Sequence, residues 1–224
     1  MMPTMMTDDT NEQGGPLDNW VTPAWAVEAV LPCVAPIAEK PTNGWCVVDP
    51  GAGIGNVTLT LHKARLPMFM ACAVELHPGR SRECARRFDA DLADVPHVNV
   101  TGDWLDPDVG KLVGAWAAAG SVDRRAVLVM GNPPYTKPRR TTGLEFIEQA
   151  IRVASPAGVV ALLLPLDFAA GVDRAARLHD RWPCSCYPLR RRPAFGKEGS
   201  SGKRPVAWFV WDLGAPHRRE FRVL

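Results

Sequence analysis

Residues 45–55 read Trp45-Cys46-Val47-Val48-Asp49-Pro50-Gly51-Ala52-Gly53-Ile54-Gly55. The apolar run Trp45 to Val48 is that of a strand buried on both faces, as in a parallel sheet. Three glycines at alternate positions then let the backbone turn sharply and approach a ligand closely. Residues Asn56 to Arg65 follow as a helical segment. A strand, a glycine-rich turn and a helix in this order make a nucleotide-cofactor loop at the carboxyl end of the first strand of an α/β sheet. The nicotinamide-dinucleotide fingerprint has its third glycine where this chain has Asn56. The pattern is therefore Gly-x-Gly-x-Gly, and pyrophosphate binding loses ground.

Working outward, apolar runs at Met70 to Val74, His97 to Val100, Ala126 to Met130, Val159 to Leu164, Ser185 to Leu189 and Val206 to Trp211 predict six more strands. Helical segments at Arg80 to Ala93, Leu144 to Ala154 and Arg174 to Trp182 separate most of them, and Leu144, Ile147, Ile151 and Ala154 make one stripe. Upstream, Thr22-Pro23 reads as a helix start, a capping hydroxyl before a proline at the first helical position. Val27, Val30, Leu31 and Val34 supply that helix with an apolar face, and Pro32 and Pro36 are expected to end or kink it. Strand and helix in alternation imply parallel crossovers, whereas the last two strands, joined without a helix, form an antiparallel pair. The expected fold is α/β: a Rossmann-like, doubly wound, seven-stranded mixed sheet with its last strand antiparallel, in a single domain spanning residues 17–224.

At 224 residues and 46% apolar content the chain has material for one substantial core. Residues 1–16 are polar, methionine-rich and end in Gly-Gly-Pro, which predicts a disordered tail. No apolar run is long enough for a membrane span, and acidic residues follow the first methionines where a signal peptide would be apolar. A cytoplasmic location is expected. Six scattered cysteines read as reduced core residues, and Cys184 and Cys186 lack the second ligand pair of a zinc site, so no metal is expected.

Two further groups carry chemistry. Glu75 stands twenty residues after Gly55, at the end of the second strand, where a carboxylate can accept from both ribose hydroxyls. Asp103, after the third strand, can accept from an adenine amino group, with Trp104 or Leu105 against the ring face. Three carboxylates at three successive strand ends suit an adenosine carried without phosphates. Beyond the fourth strand lies Asn132-Pro133-Pro134-Tyr135. A side-chain amide followed by two residues that donate no backbone N–H leaves oxygens free to accept, and the neighbouring ring can stack. That combination suits a planar amino group.

On these motifs the chain resembles the S-adenosylmethionine-dependent amino-methyltransferases, in particular the adenine-N6 DNA methyltransferases of small phage type, over roughly residues 20–212. The resemblance implies S-adenosyl-L-methionine as cofactor, held by Trp20, Thr22 and Pro23 of the N-terminal motif, Asp49, Pro50, Gly51, Ala52, Gly53 and Gly55 of the glycine loop, Glu75 with Leu76, Asp103 with Trp104 and Leu105, and Asn132. It implies that Asn132, Pro133, Pro134 and Tyr135 are the catalytic motif. Arg192 to Phe195 and Trp208 to Trp211 resemble the stretch before the last strand, and the last strand itself, of the phage-type enzymes.

The net charge of +2 is too small to declare a nucleic-acid partner, but basic residues cluster. Lys137, Arg139 and Arg140 follow the tetrapeptide; Arg190, Arg191, Arg192, Lys197, Lys203 and Arg204 flank a glycine- and serine-rich hairpin loop near 187–205 that also holds Phe195. These suit phosphate contacts and an aromatic wedge on DNA. Arg80, Arg82, Arg86 and Arg87, at helical spacing with acidic neighbours, read as a solvated helix face. Because the stretch Gly214 to Leu224 leaves no room for a recognition domain, sequence specificity is expected to be loose, short or supplied by loops. RNA bases and protein glutamine remain alternative acceptors, and a catalytically silent S-adenosylmethionine-fold binding module is the alternative of another class.

Overall fold

The run that opens the glycine loop forms β1, Trp45–Pro50, buried along its whole length. In the computed structural model, which describes residues 21–34, 44–120, 127–134, 142–193, 204–215 and 219–224, β1 lies between two parallel partners, β2 (Met68–Glu75) and β4 (Val127–Gly131). β3 (His97–Thr101) adds beyond β2 and β5 (Val159–Pro165) beyond β4, both parallel. The chain then leaves the sheet and returns as β6 (Ser185–Pro188) and β7 (Val206–Asp212), with β7 inserted antiparallel between β5 and β6. The order is β3-β2-β1-β4-β5-β7-β6. All seven expected strands are present, their ends displaced by at most two residues. Five carboxyl ends, β1 to β5, therefore open on the same edge of the sheet, where doubly wound folds place their sites.

Helices cover both faces. α1 (Ala24–Val34), α2 (Asn56–Lys63) and α3 (Pro78–Asp91) pack on one, with Val27, Val30 and Val34 of α1 buried against Val47, Met130 and Leu163. α4 (Pro107–Gly120) and α5 (Thr142–Ala154) pack on the other, where Ile147, Ile151 and Ala154 are fully or almost fully buried. Each such isoleucine contributes about 1.5–3 kcal/mol of burial. Buried indoles find partners: Trp208 Nε1 donates to the Ala26 carbonyl at 2.7 Å and Trp211 Nε1 to that of Trp182 at 3.1 Å.

Several expectations change. Pro32 lies inside α1, which continues to Val34, and Pro36 falls outside the described residues. The helix expected over Arg174 to Trp182 is instead a single turn, Val172–Arg174, continued by a π-helical segment, Ala175–His179. α4 has no counterpart among the helices expected from the sequence. Its start carries a clear signal, since Asp106 Oδ1 accepts from Asp108 N at 2.9 Å with Pro107 as the first helical residue. The stretch after β7 is not idle either: Glu220 to Leu224 runs along the outer edge of β6, where Cys186 N donates to Glu220 O and Leu224 N to Pro188 O, both at 2.8 Å. Tyr187 Oη adds a bond to Glu220 Oε2 at 2.9 Å.

All six thiols are free, four of them buried. Burial pushes the Cys46 and Cys72 thiols up to about 12. Among the described residues no group of His, Cys, Asp or Glu could hold a metal ion, and no helix is long and apolar enough to cross a membrane. The tail 1–20, with Trp20, lies outside the described residues.

Candidate cofactor and catalytic site

The glycine loop is strapped to the end of β2. Ala52 N donates to the Val74 carbonyl at 2.9 Å, and Gly53 N donates to Glu75 Oε2 at 2.7 Å. Glu75 Oε1 accepts from His77 N at 2.8 Å. The carboxylate is thus buried and oriented by two backbone donors, while each oxygen keeps a second lone pair for a ligand hydroxyl. Two of the glycines answer different needs. Gly53 has φ 58° and a Cβ built on it would meet nothing within 4 Å, so its outer side is open space. Gly55 has φ 80° and its missing Cβ would lie 2.6 Å from Phe88 Cε1 and 2.9 Å from Cys84 Sγ, which lets α2 start close against α3.

Asp49, the last polar residue of β1, is buried beneath this loop. Its Oδ2 accepts from Thr58 Oγ1 at 3.2 Å, and its Oδ1 is buried with no hydrogen-bond partner. Burial raises its pKa to about 7; the Thr58 bonds act against the rise and the Glu75 charge adds to it. The folded protein therefore binds this proton more tightly than the unfolded chain. Stability should fall as pH rises from the ordinary carboxylate range to about 7 and be flat above, a loss of roughly 4 kcal/mol from this group. Denaturant titrations at about pH 5 and about pH 8 span the upper two-thirds of this window, so the difference between them should shrink by about 2.5 kcal/mol in Asp49→Asn, and an unchanged difference refutes it.

At the end of β3, Asp103 is exposed and its Oδ1 accepts from Leu105 N at 2.9 Å, a turn that holds the carboxylate outward. The expected stacking residue beside it is corrected in part. Trp104 turns into the core, 3% exposed, with its Nε1 donating to the Phe146 carbonyl at 3.2 Å and its ring 5.8 Å from that of Phe146. Leu105, half-buried, and Leu76, 59% exposed just after Glu75, offer apolar surface at this edge among the described residues.

Asn132 begins the loop after β4 and is half-buried; its Oδ1 is buried without a partner. Pro133 is buried and Pro134 exposed. A Cβ on Gly51 would stand 3.8 Å from Pro134 Cδ, and one on Gly131 3.1 Å from Asp49 Oδ1, so the glycine loop and the Asn132 loop abut. Thr22 is buried and its carbonyl accepts from Asn56 Nδ2 at 3.3 Å, which brings the Thr22-Pro23 segment against the start of α2. Tyr135, Lys137, Arg139, Arg140, Phe195, Lys197 and Lys203 lie outside the described residues.

Arg190, Arg191, Arg192 and Arg204 are exposed where β6 ends and β7 begins, at the same edge of the sheet as Asn132. Arg191 sits over the Trp25 ring, 5.1 Å from its centre. The arginine row on α3 is not uniform. Arg86 pairs with Glu83 in solvent, but Arg87 reaches the glycine loop, a placement its position next to the buried Phe88 could have signalled. A depression of about 620 Å³ near His62, Arg65, Met68 and Asp91 lies at the opposite end of β2 and shares no residue with this cluster.

No protein-family model matches the chain, and no curated protein matches it in sequence. Solved structures match its fold. A Listeria monocytogenes protein assigned as a class I S-adenosylmethionine-dependent methyltransferase superposes with a TM-score of 0.67 at 15% identity, over 95% of this chain and 68% of that one. The M protein of the type I restriction enzyme EcoKI gives 0.61 at 16% identity over 87% of this chain, which spans only 44% of it. The rRNA methyltransferase aviRa from Streptomyces viridochromogenes gives 0.53 at 13% identity, over 93% and 90%. The chain has the class I S-adenosylmethionine-dependent methyltransferase fold.

Proposed function

We propose that the protein transfers the methyl group of S-adenosylmethionine to an exocyclic amino group, the N6 of adenine in DNA. The observation that carries this reading is the buried, unpartnered Oδ1 of Asn132, an acceptor beside the glycine loop in a position where leaving it unsatisfied is costly. The residues present fit the cofactor: the open side of Gly53, the oriented Glu75 carboxylate, the outward Asp103 and the apolar Leu76 would hold the adenosine, and the buried Asp49 favours a nearby cation. When bound, S-adenosylmethionine supplies an electrophilic methyl on a sulfonium centre.

An amino group on an aromatic ring is a poor nucleophile because its lone pair is delocalised. Asn132 Oδ1 and the Pro133 carbonyl would accept its two N–H bonds, pull the nitrogen toward a tetrahedral arrangement and free the lone pair. No strong base is needed, because the alkylated nitrogen is acidic enough to release its proton to water. Tyr135 would stack on the ring. A base in duplex hides this edge, so it has to be flipped out, and the exposed Arg190, Arg191, Arg192 and Arg204 support a phosphate backbone as the surface that presents it.

The test is transfer of labelled methyl from S-adenosylmethionine to unmethylated DNA, RNA and bulk protein in parallel, followed by mass spectrometry of digested nucleosides. N6-methyladenine from DNA is the expected product. N4-methylcytosine, or label in RNA or protein alone, overturns the acceptor; no transfer to any of them overturns the activity.

A further inference from the structure

Asn56 occupies the position where a dinucleotide loop would have glycine, and its side chain joins three parts of the protein. Its Oδ1 accepts from Arg87 Nη1 at 2.6 Å, and its Nδ2 donates to the Thr22 carbonyl at 3.3 Å. The same Arg87 Nη1, using its second hydrogen, donates to the Ile54 carbonyl at 2.6 Å, between the open Gly53 and the packed Gly55. Arg87 and Asn56 are both half-buried, and the two arginine bonds are short and charge-assisted. Because an amide has one acceptor end and one donor end, the guanidinium fixes which way Asn56 faces and so fixes its donor toward Thr22.

We propose that Arg87 and Asn56 are positioning residues for the methyl-donor site, a latch on α3 that sets the shape of the glycine loop and holds the Thr22-Pro23 segment against it. The inference rests on the donor site proposed above. Neither side chain touches the reacting atoms in this scheme; both act through backbone, Arg87 on the Ile54 carbonyl and Asn56 on the Thr22 carbonyl. The separate roles give separable variants. Asn56→Asp keeps an acceptor for Arg87 and loses the donor to Thr22. Arg87→Met releases both the loop and the amide, and Arg87→Lys restores one charge without the fork.

The decisive measurement is calorimetric titration of S-adenosylhomocysteine into wild type and the three variants, with hydrogen exchange across residues 22–34 and thermal melting of the same samples. Asn56→Asp and Arg87→Met should each weaken binding about tenfold and speed exchange in the early turns of α1, with Arg87→Lys between them and wild type. In transfer assays the donor KM should rise more than kcat falls. Wild-type affinity and exchange in both Asn56→Asp and Arg87→Met overturn the latch, as does a loss of affinity that merely follows the loss of melting temperature across the set. If wild type itself binds no S-adenosylhomocysteine, the proposed function falls, and the exchange data alone then decide the latch: unchanged exchange refutes it.

Discussion

Asn132→Ala is expected to lower kcat for methyl transfer by about a hundred- to a thousandfold while donor affinity stays within a few fold. In the proposed mechanism the substitution removes one of the two acceptors that hold the target amine, the other being a backbone carbonyl that the variant keeps. It also removes a buried oxygen that has no partner inside the protein, so the fold should tolerate it well. Such a pattern, a large fall in turnover without a loss of stability, is the mark of a group whose bonding is reserved for a ligand. Asn132→Asp supplies an oxygen of the same reach but adds a charge, and should recover only part of the activity. The measurement is single-turnover transfer to unmethylated DNA with saturating donor, alongside a melting curve. Turnover equal to wild type in the alanine variant would remove the mechanism, whatever the substrate.

Gly55→Ala is expected to cost about 3 kcal/mol of stability, a fall in melting temperature on the order of 10 °C for a chain of this size. The methyl would lie 2.6 Å from Phe88 Cε1 and 2.9 Å from Cys84 Sγ, both fully buried, and the backbone would be left with φ 80°. Left-handed backbone accounts for about 1 kcal/mol and overpacking for the rest. Gly53→Ala makes the complementary case. Its Cβ meets nothing within 4 Å, so only the backbone term of about 1 kcal/mol applies, yet the methyl enters the open space where a ligand would lie. Gly55→Ala should therefore melt early and Gly53→Ala should bind the donor poorly. A Gly55 variant as stable as wild type would mean that α2 and α3 can separate without cost.

The strands were legible because each is a short apolar run bounded by turn residues, whereas the pairing of β1 with β4 and the insertion of β7 between β5 and β6 do not follow from chain order. The candidate cofactor and catalytic groups could be placed for a related reason: Asp49, Glu75, Asp103 and Asn132 all stand within two residues of a strand's end, a position that a linear reading can find. What escaped depends on contacts distant in the chain. Trp104 looks like a stacking residue beside Asp103, but Phe146, on α5, draws it inward. Arg87 looks like one of four solvated arginines until α3 is laid over the glycine loop. The strand-like path of Glu220 to Leu224 exists only because β6 leaves an edge to pair with. α4 does not stand out in the sequence although its start is written in Asp106 and Pro107, because glycine and alanine dilute the stripe formed by Val109, Val113 and Trp116.

The antiparallel insertion of β7 has a consequence for how the chain reaches this state. β5 is an almost wholly apolar strand, Val159 to Pro165, and its free side is sealed only when Val206 to Asp212 arrives, pairing Val159 with Asp212 and Leu163 with Trp208. Until then a partly folded molecule carries an open, greasy edge, the kind of surface that recruits a second chain by strand addition. Closure of that edge is a long-range event and hence a late and slow one. Yield during expression, and recovery from heat, should therefore be governed by the β5–β7 seam more than by the glycine loop, and slowing the return of β7 is the change that would turn this protein toward aggregates.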